Sequence, residues 1–392
     1  VAFSNPFNPG SGTAPPFLAG RDYELDLFRR SAEAIAAGKS DNLLLTGLRG
    51  TGKTVLLDEF SKICMESGLL PIRRPHFSAK HRIPDRFYEA LEYDMRSAVA
   101  GLSVTKKVTQ RIGSIGTRIK PKSVGIQGAF YYEPSYESDP IPFENRLQEY
   151  LESNWQVFEK NGYRGVMFLF DEFHTVSDVP EKEHYVLTDL LAAIGELQNS
   201  GIHYHLVLSG LPKLPLNLRK ARSNSERMFR TMVLRNLDRE EARLAISKPL
   251  EEYNYRFEDG LIDLILDDTE QYPYFIQFYC REIINLVNRK SITVDDYSKA
   301  KPVILKQLDA GFFDARMDGV SGKEEELLYS MARMDSEDLK FGDIVRASDV
   351  KKSSLSRYLE LLEDKGLIHN HKRGVYRFSL PMLRDYLMRQ TA

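Results

Sequence analysis

Asn42-Leu43-Leu44-Leu45-Thr46-Gly47-Leu48-Arg49-Gly50-Thr51-Gly52-Lys53-Thr54 joins a short apolar run to a glycine-rich turn, and the helical pattern of Lys53–Glu66 follows directly. The order is strand, loop, helix. Gly47 to Thr54 fits G-x-x-x-x-G-K-[ST], a loop tight enough for its backbone N–H groups to point at phosphate oxygens. The helix N-terminus adds a partial positive charge. In such a loop Lys53 reaches the β- and γ-phosphates and Thr54 ligates Mg²⁺, while Gly47, Leu48, Arg49, Gly50, Thr51, Gly52 and Val55 form the cradle.

About 120 residues downstream, Gly165-Val-Met-Phe-Leu-Phe170 is a continuous apolar run, as a strand buried on both faces requires. It ends in Asp171-Glu172. Asp171 is placed to hold Mg²⁺ through water, and Glu172 to act as general base on an attacking water. Further strands are predicted at 69–76, 205–208 and 232–234. Helices are predicted at 21–37, 84–100, 143–160 and 185–198. Strands alternating with helices specify an α/β fold with a parallel sheet. Residues 1–19, rich in Pro, Gly and Ser, read as an extended arm lying on another surface or disordered. Val1–Gly20 lacks the cationic-then-apolar pattern of a signal peptide.

The phosphate loop, the apolar strand ending in Asp-Glu and the helical stretch after the last strand resemble an AAA+ or STAND-type P-loop ATPase, in the bacterial or archaeal origin-recognition-like group. The likeness runs over about 18–310. It implies a three-layer core at 20–237, a helical lid at 238–310, and ATP with Mg²⁺ as ligands. It also implies roles for smaller motifs. Phe17-Leu-Ala-Gly20-Arg21-Asp-Tyr-Glu24-Leu25 looks like the Gly-Arg motif near the nucleotide, with Arg21 its cation. Ser209 stands where the family carries a polar sensor of the γ-phosphate. Ser225-Glu-Arg227-Met-Phe229 resembles the stretch that supplies an arginine finger; the alternative for Arg227 is a surface cation. Gln271-Tyr-Pro273-Tyr-Phe275 resembles the Gly-x-Pro motif that packs the base, with Gln271 in place of the glycine; alternatively Pro273 bends a helix start. No sensor-2 arginine is evident.

The tail, 311–392, reads as a connector at 311–322 followed by a segment resembling a winged helix. Its helices are at 324–333, 341–347 and 352–365, with a wing at 367–371 and 375–380 turning at Lys372-Arg373-Gly374. In the DNA-binding use of that fold, Lys352, Ser353, Ser354 and Arg357 meet phosphates and base edges, and Lys372 and Arg373 tip the wing. Winged helices also dock proteins, and Glu360, Glu363 and Asp364 lie on the same helix. Residues 101–135 carry Lys106, Lys107, Arg111, Arg118, Lys120 and Lys122 against Glu133 alone. They form either a solvated hairpin or an insertion contacting DNA or another subunit.

The 392 residues suit two or three domains. The 54 Lys and Arg against 56 Asp and Glu leave a net charge of −2, so any attraction to nucleic acid must be local. Cys64 and Cys280 are too few and too far apart for a disulfide scaffold or a Cys-based zinc site, and a reducing, cytoplasmic compartment fits. No apolar run reaches the length of a spanning helix, so no membrane partner is expected. His203-x-His205 and His369-x-His371 lack an obvious third metal ligand and read as ordinary strand and wing histidines. The expectation is an ATP-binding and ATP-hydrolysing protein whose nucleotide state controls assembly into a homo-oligomer, or conformation, acting on DNA. The alternative is a slow nucleotide switch whose winged helix docks a protein partner.

Overall fold

Residues that alternate across a strand bury both of its faces only if helices cover the sheet from both sides. The computed structural model, which describes residues 4–10, 12–101 and 142–391, has this arrangement. Five strands form one sheet: β1 (Leu43–Gly47), β2 (Leu70–Arg74), β3 (Val166–Phe170), β4 (Tyr204–Gly210) and β5 (Arg230–Leu234). All pair in parallel, in the order β2-β3-β4-β1-β5. The flanking helices are α1 (Asp22–Ala36), α2 (Lys53–Glu66), α3 (Pro84–Gly101), α4 (Phe143–Lys160) and α5 (Val186–Asn199). Met167 and Leu169 of β3 pack with Phe28 of α1 and Leu56 of α2. Val166, Phe168 and Phe170 turn the other way, toward Phe87 of α3, Leu151 of α4 and Leu190 of α5. The core is therefore a three-layer α/β sandwich. The carboxyl ends of β3, β4 and β1 stand side by side, where open parallel sheets bind ligands.

Four helices follow β5: Arg239–Glu252, Leu261–Thr269, Pro273–Val287 and Val294–Leu308. The first opens on a capping box. The Glu241 N–H donates to Asp238 Oδ1 at 2.8 Å, and the Asp238 N–H donates to Glu241 Oε2 at 3.0 Å. The sequence shows no strand here, yet Arg256–Phe257 pairs in parallel with Ser291–Ile292. Two residues are too few to show a period. The connector expected at 311–322 is partly helical: a π-helical turn, Asp309–Phe313, runs into a helix at Asp314–Met317 because Phe312 and Phe313 are buried. Helices Gly322–Ala332, Phe341–Ala347 and Lys352–Asp364 come next, then the antiparallel strands Ile368–Lys372 and Val375–Phe378. Leu339–Lys340 adds a third strand, and Leu383–Gln390 a final helix; neither is predicted. A further helix, Leu214–Ala221, is also missed, with Pro215 in its first turn.

One apolar cluster runs through all the elements after β5, joining Ile283, Phe313, Leu359 and Leu387. Phe7 and Ala19 of the arm belong to it. The described arm residues thus lie on the chain's own later helices, where Asn5 Nδ2 donates to the Arg281 carbonyl at 2.9 Å. Among the described residues no helix is long and apolar enough to cross a membrane. Lys106, Lys107, Lys120 and Lys122 lie outside the described residues.

Candidate functional site

The loop between β1 and α2 follows from its glycines. Gly52 takes φ +93°, a left-handed conformation in which a side chain is strained, and it starts α2. Lys53, first in the helix, is only 6% exposed. Its Nζ donates to the carbonyls of Gly47 at 2.9 Å and Leu48 at 2.7 Å. Burial pulls its pKa down to about 8, with Glu172 and then Asp171 opposing.

Asp171 follows β3 directly and is almost wholly buried. Three donors converge on its carboxylate. Thr54 Oγ1 donates to Oδ2 at 2.6 Å, Ser209 Oγ to Oδ1 at 2.8 Å, and the Glu172 N–H to Oδ1 at 2.9 Å. Arg73, at the end of β2, lies 3.5 Å from Oδ2. The ends of three strands and the start of α2 thus meet at one carboxylate. Ser209 was expected just past a strand at 205–208; β4 runs on to Gly210, so Ser209 lies within it. Glu172 has φ +53°, a strained choice for a residue with a Cβ, and its side chain lines the cavity described next. His174 Nε2 is 3.7 Å from Glu172 Oε2. Burial lowers the His174 pKa to about 3, so the imidazole is neutral and the contact is not an ion pair.

A cavity of about 350 Å³ opens over the loop, within the range that holds small ligands. Arg49 through Val55 and Glu172 line one part of it. Pro273, Tyr274, Gln277, Phe312 and Arg316 line another, and arm residues including Gly12, Phe17 and Leu18 complete it. Gly12 lies so close over Thr54 that a Cβ there would meet Thr54 Cγ2 at 3.1 Å. Arg21 also lines the cavity, but its guanidinium donates to backbone: to Gly20 O at 3.0 Å, Thr51 O at 3.0 Å and Arg235 O at 3.1 Å. It ties the start of α1 and the end of β5 to the loop. Pro273 is the first residue of its helix, where its missing N–H costs nothing. Gln271 adopts φ +53° in the glycine's place, and its side-chain Nε2 donates to Leu266 O at 2.9 Å, closing the preceding helix.

The residues present suit a Mg²⁺–nucleotide. Four cations line the cavity against one carboxylate, Glu172. Thr54 and Asp171 bring a hydroxyl and a carboxylate together, and among the described residues no group of three or more His, Cys, Asp or Glu could hold a metal by itself. A cation held there would need ligands from phosphate and water, as Mg²⁺ commonly takes. Gln277 Oε1, buried without a partner, offers an acceptor to a ligand in the cavity.

Arg227 is not brought to this site. It lies on a short helix, Ser225–Met228, and lines a separate cleft of about 580 Å³ with Asn42, Arg222 and Arg230, at the amino-terminal edge of the sheet. Lys352, Ser353, Arg357, Lys372 and Arg373 are exposed and Ser354 is half-buried, and none of them lines the cavity. Sequence reasoning misses Arg316, Gln277 and the arm. Gln277 carried a weak signal, one turn after Pro273 on the same helix face; Arg316 carried none, because its segment reads as a connector.

Residues 310–387 match a family model described as Domain of unknown function (DUF8462). Comparison with curated proteins yields no match. Among solved structures, the chain is similar to a Walker-type ATPase of Pyrococcus abyssi at 15% identity, over 95% of this chain and 96% of that one, with a TM-score of 0.61. It also aligns with the Aeropyrum pernix ORC2 protein, solved as ADPNP–ADP complexes, at 15% identity, over 97% and 95% of the two chains, with a TM-score of 0.48. Cdc6p from Pyrobaculum aerophilum aligns at 14% identity, over 97% and 96%, with a TM-score of 0.49. The chain has the fold of a Walker-type P-loop ATPase.

Proposed function

We propose that the chain binds ATP with Mg²⁺ and hydrolyses it, and that its nucleotide state controls conformation or assembly into a homo-oligomer. The observation that carries this is the meeting of Thr54, Ser209 and the Glu172 backbone at the Asp171 carboxylate, beside Lys53. In the proposed reaction Lys53 neutralises phosphate charge, Thr54 and Asp171 hold Mg²⁺, and Ser209 fixes the Asp171 carboxylate and senses the terminal phosphate. Glu172 takes the proton of the attacking water. Arg227, away from its own subunit's cavity, acts on a neighbour's nucleotide. Calorimetry tests the binding step: Lys53→Ala should abolish nucleotide binding, and unchanged affinity in a folded variant refutes the site.

The segments 238–310 and 311–392 act as a lid and as a winged helix that binds DNA. Two of the helix's acids are engaged within the chain, which favours DNA over a protein ligand for its amino-terminal half. Lys213 donates to Asp364 at 2.5 Å, and the Asn370 N–H donates to Glu363 at 2.5 Å. Lys352 and Arg357 remain exposed and outside any ion pair among the described residues. Fluorescence anisotropy on duplex DNA across a salt series tests this. Absence of binding, with a stable protein complex instead, moves the chain to the slow-switch reading.

A further inference from the structure

The four cations of the cavity are not alike. Arg21 and Lys53 spend their donors on backbone carbonyls. Arg49 and Arg316 make no ion pair among the described residues. Arg49 Nε is buried without any partner. Arg316 makes one hydrogen bond, from Nη1 to the Phe312 carbonyl at 2.8 Å, and its guanidinium lies 3.4 Å over the Phe312 ring. Burial lowers its pKa, Tyr272 opposing and Arg49 adding to the effect. Two guanidinium groups sharing a partly dry cavity, neither of them in an ion pair among the described residues, are costly, and a multivalent anion relieves both at once.

Both cations are also attached to the matched C-terminal unit. Arg316 follows the π-helical turn at Asp309–Phe313. Phe313 of that turn stacks on Tyr386 at 4.9 Å, and Tyr386 donates to Asp314 Oδ1 at 2.6 Å. Arg389 grips Asp309 at 2.6 Å. Arg49, from the phosphate loop, lies against Gly366, where a Cβ would meet Arg49 Nε at 2.8 Å. Gly366 is the turn between helix Lys352–Asp364 and strand Ile368–Lys372. Lys213 to Asp364 is a second tie between the core and this unit.

We propose that Arg316, together with Arg49, binds the polyphosphate of the nucleotide, so that the C-terminal unit at 310–387 closes the nucleotide site and reads which nucleotide is in it. This rests on the ATP-binding reading above. The ligand chemistry is a polyphosphate: each further phosphate adds negative charge for the pair, so the contribution of Arg316 grows from AMP to ADP to ATP.

The test titrates Mg–ATP, Mg–ADP and AMP into the full chain, as wild type, Arg316→Ala, Arg316→Gln and Arg316→Lys. Gln removes the charge but keeps a donor for the Phe312 carbonyl, and it stands in if the Ala variant does not fold. Removing the charge should weaken ATP about tenfold or more, ADP less, and AMP within about twofold, with Lys recovering part of the loss. Hydrogen exchange gives a second readout. ATP should slow exchange at the Gly366 turn and at Leu383–Gln390 in the wild type, and not in the Gln variant. Equal loss for all three nucleotides marks a merely structural role and overturns the proposal, as does no loss at all in a chain whose ATP binding depends on Lys53. A wild type that binds none of the three instead overturns the ATP reading, and this inference with it.

Discussion

Raising the pH from 7.5 to 9 should weaken ATP binding about eightfold, through Lys53 alone. Burial holds its pKa at about 8, with Glu172 and then Asp171 opposing and Arg49 adding to the burial effect. Only the ammonium form serves a phosphate. At a pKa of about 8, roughly three-quarters of the free protein carries the charge at pH 7.5 and about one-tenth at pH 9, a ratio of about eight, or about 1 kcal/mol. A bound polyphosphate raises the pKa again, so binding takes up a proton: roughly 0.2 per nucleotide at pH 7.5 and about 0.9 at pH 9. The neighbouring His174, at about 3, is neutral throughout this window. Calorimetry in two buffers of different ionisation enthalpy measures affinity and proton uptake together. Flat affinity and no uptake, in a protein whose binding still requires Lys53, would refute the reasoning. The sign reverses for folding. The folded pKa of about 8 is below the ordinary 10.5, so the unfolded chain binds more protons between those values. Nucleotide-free stability, relative to Lys53→Met, should therefore rise across that window by up to ~3 kcal/mol in urea melts.

Glu172→Gln should keep ATP affinity and lose about 10²–10⁴ in turnover, the range for a general base; a phosphate-release assay near the wild-type rate would rule Glu172 out as that base. Arg227→Ala should lower turnover about 10³-fold or more at unchanged affinity, with a wild-type rate that rises with protein concentration; activity independent of both points away from a finger. Ser209→Ala removes one of the donors on the buried Asp171 carboxylate and should cost about 1.5–3 kcal/mol in urea unfolding. Lys352→Ala with Arg357→Ala should weaken duplex DNA binding and flatten the slope of log affinity against log salt by about two, which anisotropy reads directly.

The parts of this molecule that were legible in its sequence are those whose geometry is set over short chain distances. Gly47 to Thr54 places a lysine, a hydroxyl and a helix start within eight residues, so spacing alone fixes their chemistry. Met167 and Leu169 face one layer while Val166, Phe168 and Phe170 face the other, and an unbroken apolar run is what that double burial looks like on paper. The capping box at Asp238 and Glu241 is likewise a local signal. Two-residue strands such as Arg256–Phe257 exist only because a partner is docked beside them, and no period can announce them.

The site residues divide along the same line. Asp171 was legible because it ends an apolar strand, but that Ser209 and Thr54 would both spend their hydroxyls on it depends on β4 standing beside β3 and β1 beside β4. Arg316 was invisible for a stronger reason. Its segment carries the polar and glycine residues of a connector, and only the burial of Phe312 and Phe313 against Phe275 and Tyr386 turns it into a helix facing the phosphate loop. The arm behaves similarly: Pro and Gly spell out an extended chain, while Phe7 decides where it lies. A cavity assembled this way draws its walls from the arm, the loop and three later helical segments. A ligand that fills it must bridge parts of the chain more than 250 residues apart. Such a site is suited to convert occupancy into the relative position of those parts, because no single segment holds the ligand alone. The cations that make no ion pair among the described residues, Arg49 and Arg316, lie at the contact between the phosphate loop and the C-terminal unit, which is where a change of ligand charge acts most directly on how the two fit together.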